Sequence, residues 1–220
     1  MKPYRLINRL GSGGFVVEAA LTLADIPFEL DLIASDPSSP LPDQFRDLNP
    51  WGQVPVLTTP EGAVLTECAA ILFYLAERHR SLRYGPNLFV EDVSRFYRWT
   101  SFLATNVYEG ILRKSYPDRY AIDPSIPQEQ LRNAIRTAAR ARTHRALHLI
   151  ENELADSAFL CGMRLSPADI FLAMLSAWHN PQPDLPRCNA VTEFVANQEQ
   201  IAEIWFRNFD HRLDHRWQDE

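Results

Sequence analysis

Between Leu48 and Leu75 the chain reads LNPWGQVPVLTTPEGAVLTECAAILFYL, and the order of turns, short apolar runs and periodic residues there restricts the folds open to it. Asn49-Pro50-Trp51-Gly52 has the composition of a tight turn. Val54-Pro55 then leads into an apolar strand expected over Val56 to Thr58. Thr59-Pro60-Glu61-Gly62, with Pro second and Gly fourth, suits a type I turn. A second strand, Ala63 to Leu65, is expected to pair antiparallel with the first. Thr66 is placed to cap a helix on which Cys68, Ile71, Leu72 and Leu75 recur at i, i+3, i+4 and i+7. A proline entering a strand has no N–H for the ladder, which confines it to the first position or an edge. Its neighbour Val54 then keeps an N–H and a C=O able to pair with a peptide-like ligand. The helix start at Thr66-Glu67-Cys68 offers further N–H groups to a carboxylate.

These residues carry a resemblance. GQVPVL followed by LTECAAILFYLAE is similar to the glutathione-binding half of the cytosolic glutathione transferases. The resemblance implies a cis Pro55, pairing of Val54 with the cysteinyl backbone of glutathione, and contacts from Glu67 and Cys68 to its γ-glutamyl group. Trp51 and Gln53 are implied as additional contacts. Cys68 departs from the family's usual hydroxyl; a thiol is a weak donor, so binding is expected to be weaker but not lost, because the helix N–H stays in place.

The first 80 residues agree with this. Tyr4 to Asn8 reads as a strand, Phe15 to Ala24 as a helix with Val16, Val17, Ala20, Leu21 and Ala24 on one face, and Phe28, Leu30 and Leu32 alternate as in a half-buried strand. A Pro/Ser-rich loop over 36–42 and a short helix near Asp43 to Leu48 complete a thioredoxin-like order. Gly11-Ser12-Gly13-Gly14 is not a dinucleotide loop, since Val16 stands where the third glycine of GxGxxG belongs. Its serine admits two readings. A hydroxyl beside the positive end of a helix can stabilise a thiolate, or Ser12 simply caps the helix and bonds locally. The resemblance favours the first: serine-type transferases carry a serine in this loop, and glutathione's thiol, with a pKa of about 8.5, needs about 2.7 kcal/mol of preferential stabilisation to fall by two units. The Ser-Ser-Cys-Ser run of zeta-class enzymes and the beta-class cysteine, which would align near Gly13, are both absent.

Composition excludes other classes. With 220 residues, 46% hydrophobic and 23% charged, the chain can bury one large core or two modest ones. A net charge of −6 argues against a nucleic-acid binder. Three cysteines without CxxC argue against a disulfide framework, and no stretch is long and apolar enough for a membrane span. A cytoplasmic globular protein is expected.

The domain boundary falls in the polar connection Arg78 to Leu88, giving a thioredoxin-like domain over 1–80, a linker over 81–90 and an all-helical domain over 91–220. One long helix is expected over Glu91 to Ser115 and another over Gln128 to Leu154, the latter with Leu131, Ile135, Ala138, Ala146, Leu149 and Ile150 to one side and an arginine stripe (Arg132, Arg136, Arg140) on the other. Leu165-Ser166-Pro167-Ala168-Asp169-Ile170 reads as a capping box with a hydrophobic staple, a structural role for Asp169. WTSFLATNVYEG resembles the transferase helix whose polar groups reach toward the thiol; on that match Ser101 and Tyr108 are candidates near the sulfur and Asn106 a candidate at a dimer contact. His211 and His215 have i, i+4 spacing, but Arg212 replaces the Glu that a zinc protease requires.

The resulting expectation is a homodimeric glutathione transferase. Glutathione binds the first domain, Ser12 and Tyr108 assist, the helical domain holds a small hydrophobic electrophile, and no metal takes part. The alternatives are a glutathione-dependent disulfide reductase or peroxidase, and a non-enzymatic binding or regulatory module on the same fold.

Overall fold

The computed structural model describes residues 2–34, 42–79, 90–179 and 183–209. By packing, the chain forms two units, Met1–Asn87 with Phe194–Glu220, and Leu88–Glu193. The fold is a thioredoxin-like N-terminal domain with a four-stranded mixed sheet, followed by helices.

In the first unit the sheet is ordered β2 (Phe28–Leu32), β1 (Tyr4–Asn8), β3 (Val56–Thr58), β4 (Val64–Thr66). The β1–β2 pair is parallel; β1–β3 and β3–β4 are antiparallel. Gly62 N–H donates to Thr59 C=O at 2.9 Å and closes the turn between β3 and β4. The second hairpin strand starts one residue later than the sequence suggests, at Val64. Helix α1 spans Gly14–Leu23, α2 Asp43–Leu48 and α3 Cys68–Arg78. On α3 the face expected from the spacing, Cys68, Ile71, Leu72 and Leu75, is buried. Its N-cap is Glu67, not Thr66, since Ile71 N–H donates to Glu67 C=O at 3.0 Å while Thr66 still belongs to β4.

Helix α1 differs more from expectation. Residues Gly14 through Leu21 are all buried, so it has no solvent face over that length. The reason is that α9 (Glu199–Phe209) packs against it as well as β1 and α3. Phe15 meets Trp205 and Phe209 edge-on, at centroid separations of 5.6 and 4.7 Å. Fully burying a side chain such as Phe15, Val16 or Leu21 contributes about 1.5–3 kcal/mol each. The same docking buries Glu18, which is paired with Arg207 of α9. Burial raises the Glu18 carboxyl's pKa and the guanidinium partly offsets that.

The second unit holds α4 (Val90–Phe102), a π-helical turn (Leu103–Tyr108), α5 (Glu109–Ser115), a 3₁₀ turn (Pro117–Arg119), α6 (Gln128–Glu153) and α7 (Pro167–His179); α8 (Pro186–Ala196) follows. The helix expected over Glu91 to Ser115 is thus interrupted by a π turn. On α6, Ala146 and Ile150 are buried as expected, but Ala138 and Leu149 are exposed, and the buried stripe runs through Ala139, Thr143 and Leu147 instead. Of the arginine stripe, Arg132 bridges Asp118 and Glu129, and Arg136 reaches Glu129. The capping box is formed: Asp169 N–H donates to Ser166 Oγ at 3.2 Å and Ser166 N–H to Asp169 Oδ2 at 2.7 Å. Asp169 Oδ1 also accepts the Leu160 N–H at 2.8 Å, so a third backbone segment depends on it. Among the described residues no helix is long and apolar enough to cross a membrane. Expectations for 36–41, for the connection beyond His79 and for His211 and His215 fall outside the described residues.

Two outcomes test this packing. Arg207→Ala leaves Glu18 without its cation; the cost at neutral pH is expected at about 2–4 kcal/mol, below a fully buried pair because Arg207 is partly exposed. Glu18's folded pKa is raised, so its contribution is fully present below the unfolded value and is lost as pH rises through the folded one. Denaturation of wild type and variant at pH 5 and pH 8 should therefore show the larger deficit at pH 8. In the second unit, a Cβ on Gly110 would lie 2.1 Å from Thr143 Oγ1. Gly110→Ala is expected to lose about 1–3 kcal/mol, and adding Thr143→Ala to recover part of it, measured as a double-mutant cycle.

Candidate glutathione site

The sheet register decides which loops meet. Val56 pairs with both Ile7 and Thr66, so the end of β1, the Val54-Pro55 entry into β3 and the β4 exit into Glu67-Cys68 lie at one end of the sheet. The Val54–Pro55 peptide is cis. Among the described residues nothing pairs with the N–H or C=O of half-buried Val54. Glu67 is exposed and has φ +66°, a conformation non-glycine residues adopt rarely and at a cost. It turns the chain from β4 into α3 so that the first N–H groups of that eleven-residue helix open beside it.

The tight turn expected over Asn49 to Gly52 is built by the side chain of Asn49. Buried Asn49 accepts the Trp51 N–H through Oδ1 at 3.2 Å and donates through Nδ2 to Gln53 C=O at 2.7 Å, while Gly52, at φ +72°, closes the turn on Asn49 C=O at 2.8 Å. Trp51 is 76% exposed and Gln53 is exposed as well, so both side chains are open to a ligand.

The loop Gly11–Gly14 is held by three side chains, two of them from distant parts of the chain. Asn208 Oδ1, on α9, accepts the Gly11 N–H at 2.8 Å. Cys68 Sγ donates to Gly13 C=O at 3.3 Å. Asn8, at the end of β1, receives the Ser12 hydroxyl at 2.8 Å and the Arg9 N–H at 2.7 Å on the same Oδ1. A backbone N–H only donates, so the Asn8 oxygen must face it, and the Ser12 proton is thereby directed at Asn8. The long contact from Gly14 N–H to Ser12 Oγ, 3.4 Å, completes the local set. Asn8 is fully buried and its Nδ2 has no hydrogen-bond partner among the described residues. Glycine is required at Gly14: a Cβ there would fall 1.9 Å from Asn8 Oδ1.

Cys68 is therefore a scaffold residue through its side chain and a ligand candidate only through its backbone. Burial pushes its thiol up to about 12. Cys188 is raised by burial and by the carboxylate of Glu151, and Cys161 is buried too.

In the helical unit, Asn106 is engaged by its own neighbours. Its Oδ1 accepts from Arg142 at 2.9 Å, and its Nδ2 donates to Phe102 C=O and Thr105 Oγ1. Tyr108, the last residue of the π turn, packs on Trp178 and Phe171 with centroids 5.3 and 6.0 Å away. Ser101 is exposed, and its C=O accepts the Thr105 hydroxyl at 2.9 Å. Single π turns inside α-helices recur at functional sites, and this one carries two of the residues the sequence singled out.

Comparison with known proteins agrees with the architecture. Residues 16–78 match the glutathione S-transferase N-terminal domain and residues 119–197 the glutathione S-transferase C-terminal domain. The chain belongs to the glutathione S-transferase family. Among relatives, the uncharacterized GST-like protein YncG of Escherichia coli (strain K12) is 26% identical over 204 residues, 90% of this chain and 95% of that protein. Elongation factor 1-gamma 3 of Oryza sativa subsp. japonica is 35% identical over 130 residues, but these are 59% of this chain and 29% of the factor. A glutathione transferase homolog from Sulfitobacter, solved with bound glutathione, superposes with a TM-score of 0.79 over 95% of this chain and all of that one, at 17% identity, a likeness of fold.

The thiols of this family member should be silent in the native state. A disulfide reagent at pH 8 is expected to titrate well under one thiol per chain, and all three after unfolding in guanidinium. A fast native equivalent would contradict the burial of Cys68.

Proposed function

We propose that this chain is a glutathione transferase that joins the glutathione thiolate to a small hydrophobic electrophile. The observation that carries the reading is the convergence of the open Val54 backbone, Glu67 at positive φ, the α3 N-terminus and the Ser12 loop at one end of the sheet. Val54 offers a donor and an acceptor to the cysteinyl backbone, and Glu67 with the Cys68 N–H receives the γ-glutamyl group. Trp51 and Gln53 lie along the tripeptide. The relative from Sulfitobacter, solved with glutathione bound, supports the choice of ligand. In the reaction the bound thiol loses its proton to water, the thiolate attacks the electrophilic carbon, and an S–C bond forms as the leaving group departs. Ser101 and Tyr108 are assigned to the sulfur and its electrophile, Asn106 to a dimer contact, and the working form is a cytoplasmic homodimer.

Ser12 acts in this reading by redirecting its proton. Turning from Asn8 Oδ1 to a thiolate gives up a neutral hydrogen bond worth about 1 kcal/mol and gains a charge-assisted one worth about 1.5–3 kcal/mol. The surplus lowers the thiol pKa by about one unit, and the N-terminus of α1 supplies the rest.

A second reading is favoured by two observations: the Ser12 proton is committed within the protein, and the relatives include elongation factor 1-gamma. In that reading the fold is a binding module and glutathione is not activated. A glutathione-dependent reductase or peroxidase has no separate support here.

Calorimetry with glutathione, combined with thiolate absorbance against pH, separates the two. The transferase reading expects binding at submillimolar to millimolar glutathione, a bound thiol pKa clearly below about 8.5, and a rise of about one unit in Ser12→Ala. Binding without a pKa shift leaves the module, and no binding at millimolar glutathione overturns the glutathione site itself.

A further inference from the structure

Helix α6 carries His144 and His148 one turn apart, and Asp184, in the segment before α8, lies against them. Both imidazole Nε2 atoms converge on the same carboxylate oxygen, Asp184 Oδ2, at 3.0 and 2.9 Å. The two rings meet edge-on with centroids 4.4 Å apart. One nitrogen from each histidine and one oxygen of the carboxylate all lie within 4.8 Å of one another. The three side chains are 38–48% exposed, so an ion can reach them from solvent.

These distances are those of two hydrogen bonds and also lie close to the ligand spacing that a single metal ion imposes. With metal–nitrogen bonds of about 2.0–2.1 Å, neighbouring ligand atoms stand about 2.8–3.0 Å apart in octahedral geometry and about 3.3–3.4 Å apart in tetrahedral geometry. The two Nε2–Oδ2 separations are already within a few tenths of an ångström of that. The i, i+4 spacing holds two imidazoles on one face of a helix without further ordering. The donor set is two neutral nitrogens and one anionic oxygen. That favours zinc, nickel or copper(II) over magnesium and calcium, which prefer all-oxygen shells, and over copper(I), which prefers sulfur.

We propose that His144, His148 and Asp184 form a binding site for a divalent transition-metal ion, with water in the remaining positions. Binding requires each ring to carry its proton on Nδ1, so the ion takes the place of the two N–H···O bonds now converging on Asp184. Lys114 and Arg140 belong to the same electrostatic neighbourhood, through His179, and oppose a cation. The affinity is therefore micromolar and not that of a closed structural site. The ion ties α6 to the segment that enters α8, a clip across 36 residues of chain. This site is independent of the glutathione reading, since all three ligands belong to the helical unit and metal binding itself is the readout.

The test uses the full chain with His211→Ala and His215→Ala as the reference, which removes the other i, i+4 histidine pair. Zinc is titrated by calorimetry, with thermal unfolding in parallel and circular dichroism to confirm that each variant is folded. The expected result is one equivalent per chain, a Kd on the order of micromolar, a higher Tm with zinc, and affinity lower by about tenfold or more in His148→Ala and in Asp184→Asn. Millimolar magnesium should not compete. No zinc binding at 100-fold above micromolar, roughly 0.1 mM, or equal affinity in His148→Ala and the reference, overturns the site. The His–Asp–His contact is then a hydrogen-bonded surface cluster and nothing more.

Discussion

The position of the Gly11–Gly14 loop rests on three buried side chains, two of them far away in sequence. Asn8 fixes Ser12 from the strand that precedes it, Cys68 holds the Gly13 carbonyl from the start of α3, and Asn208 holds the Gly11 amide from α9. Each anchor is buried, so losing one strands a polar group away from water, a larger penalty than the bond's own net value. The loop in turn starts α1, and α1 is buried along most of its length. The sheet, α3 and α9 are thereby locked around a single short helix.

That arrangement gives Cys68 a meaning the family pattern does not. A hydroxyl at this position would be expected to face the ligand; the thiol here is buried against a carbonyl and links α3 to the loop. In the proposed reading the departure moves the work of holding glutathione onto backbone groups, the Val54 peptide and the N–H groups at the α3 start. Backbone groups are fixed by the fold and carry no rotamer entropy to lose on binding. A site made of them tolerates a weak donor at one side-chain position.

Much of this was legible in the chain. The β3–β4 hairpin, α3 with its buried face, the short α2 and the Ser166–Asp169 capping box were all readable, because each rests on contacts within about ten residues and on fixed spacings. What was missed needs partners from afar. Asn208 looks like an ordinary polar residue until the fold places it at the loop. The π turn at Leu103–Tyr108 has no breaker to announce it, and the stripe on α6 shifts by one position because its neighbours choose it. His144 and His148 passed unremarked beside the His211–His215 pair, because Asp184, which gives their spacing a meaning, stands 36 residues beyond the second.

By itself, then, the sequence determined a hairpin, a capped helix and a helical second half, for which local turn chemistry and periodicity suffice, and its resemblance to the glutathione transferases pointed to the family and the fold. It also named the residues from Trp51 to Cys68 that meet at one end of the sheet. The tertiary structure alone decided where the candidate residues' polar atoms point: Ser12 toward Asn8, Cys68 toward Gly13, Asn106 toward Arg142. The physical reason is that a hydrogen bond is directional over less than an ångström, while sequence spacing fixes only which face of an element a side chain leaves from.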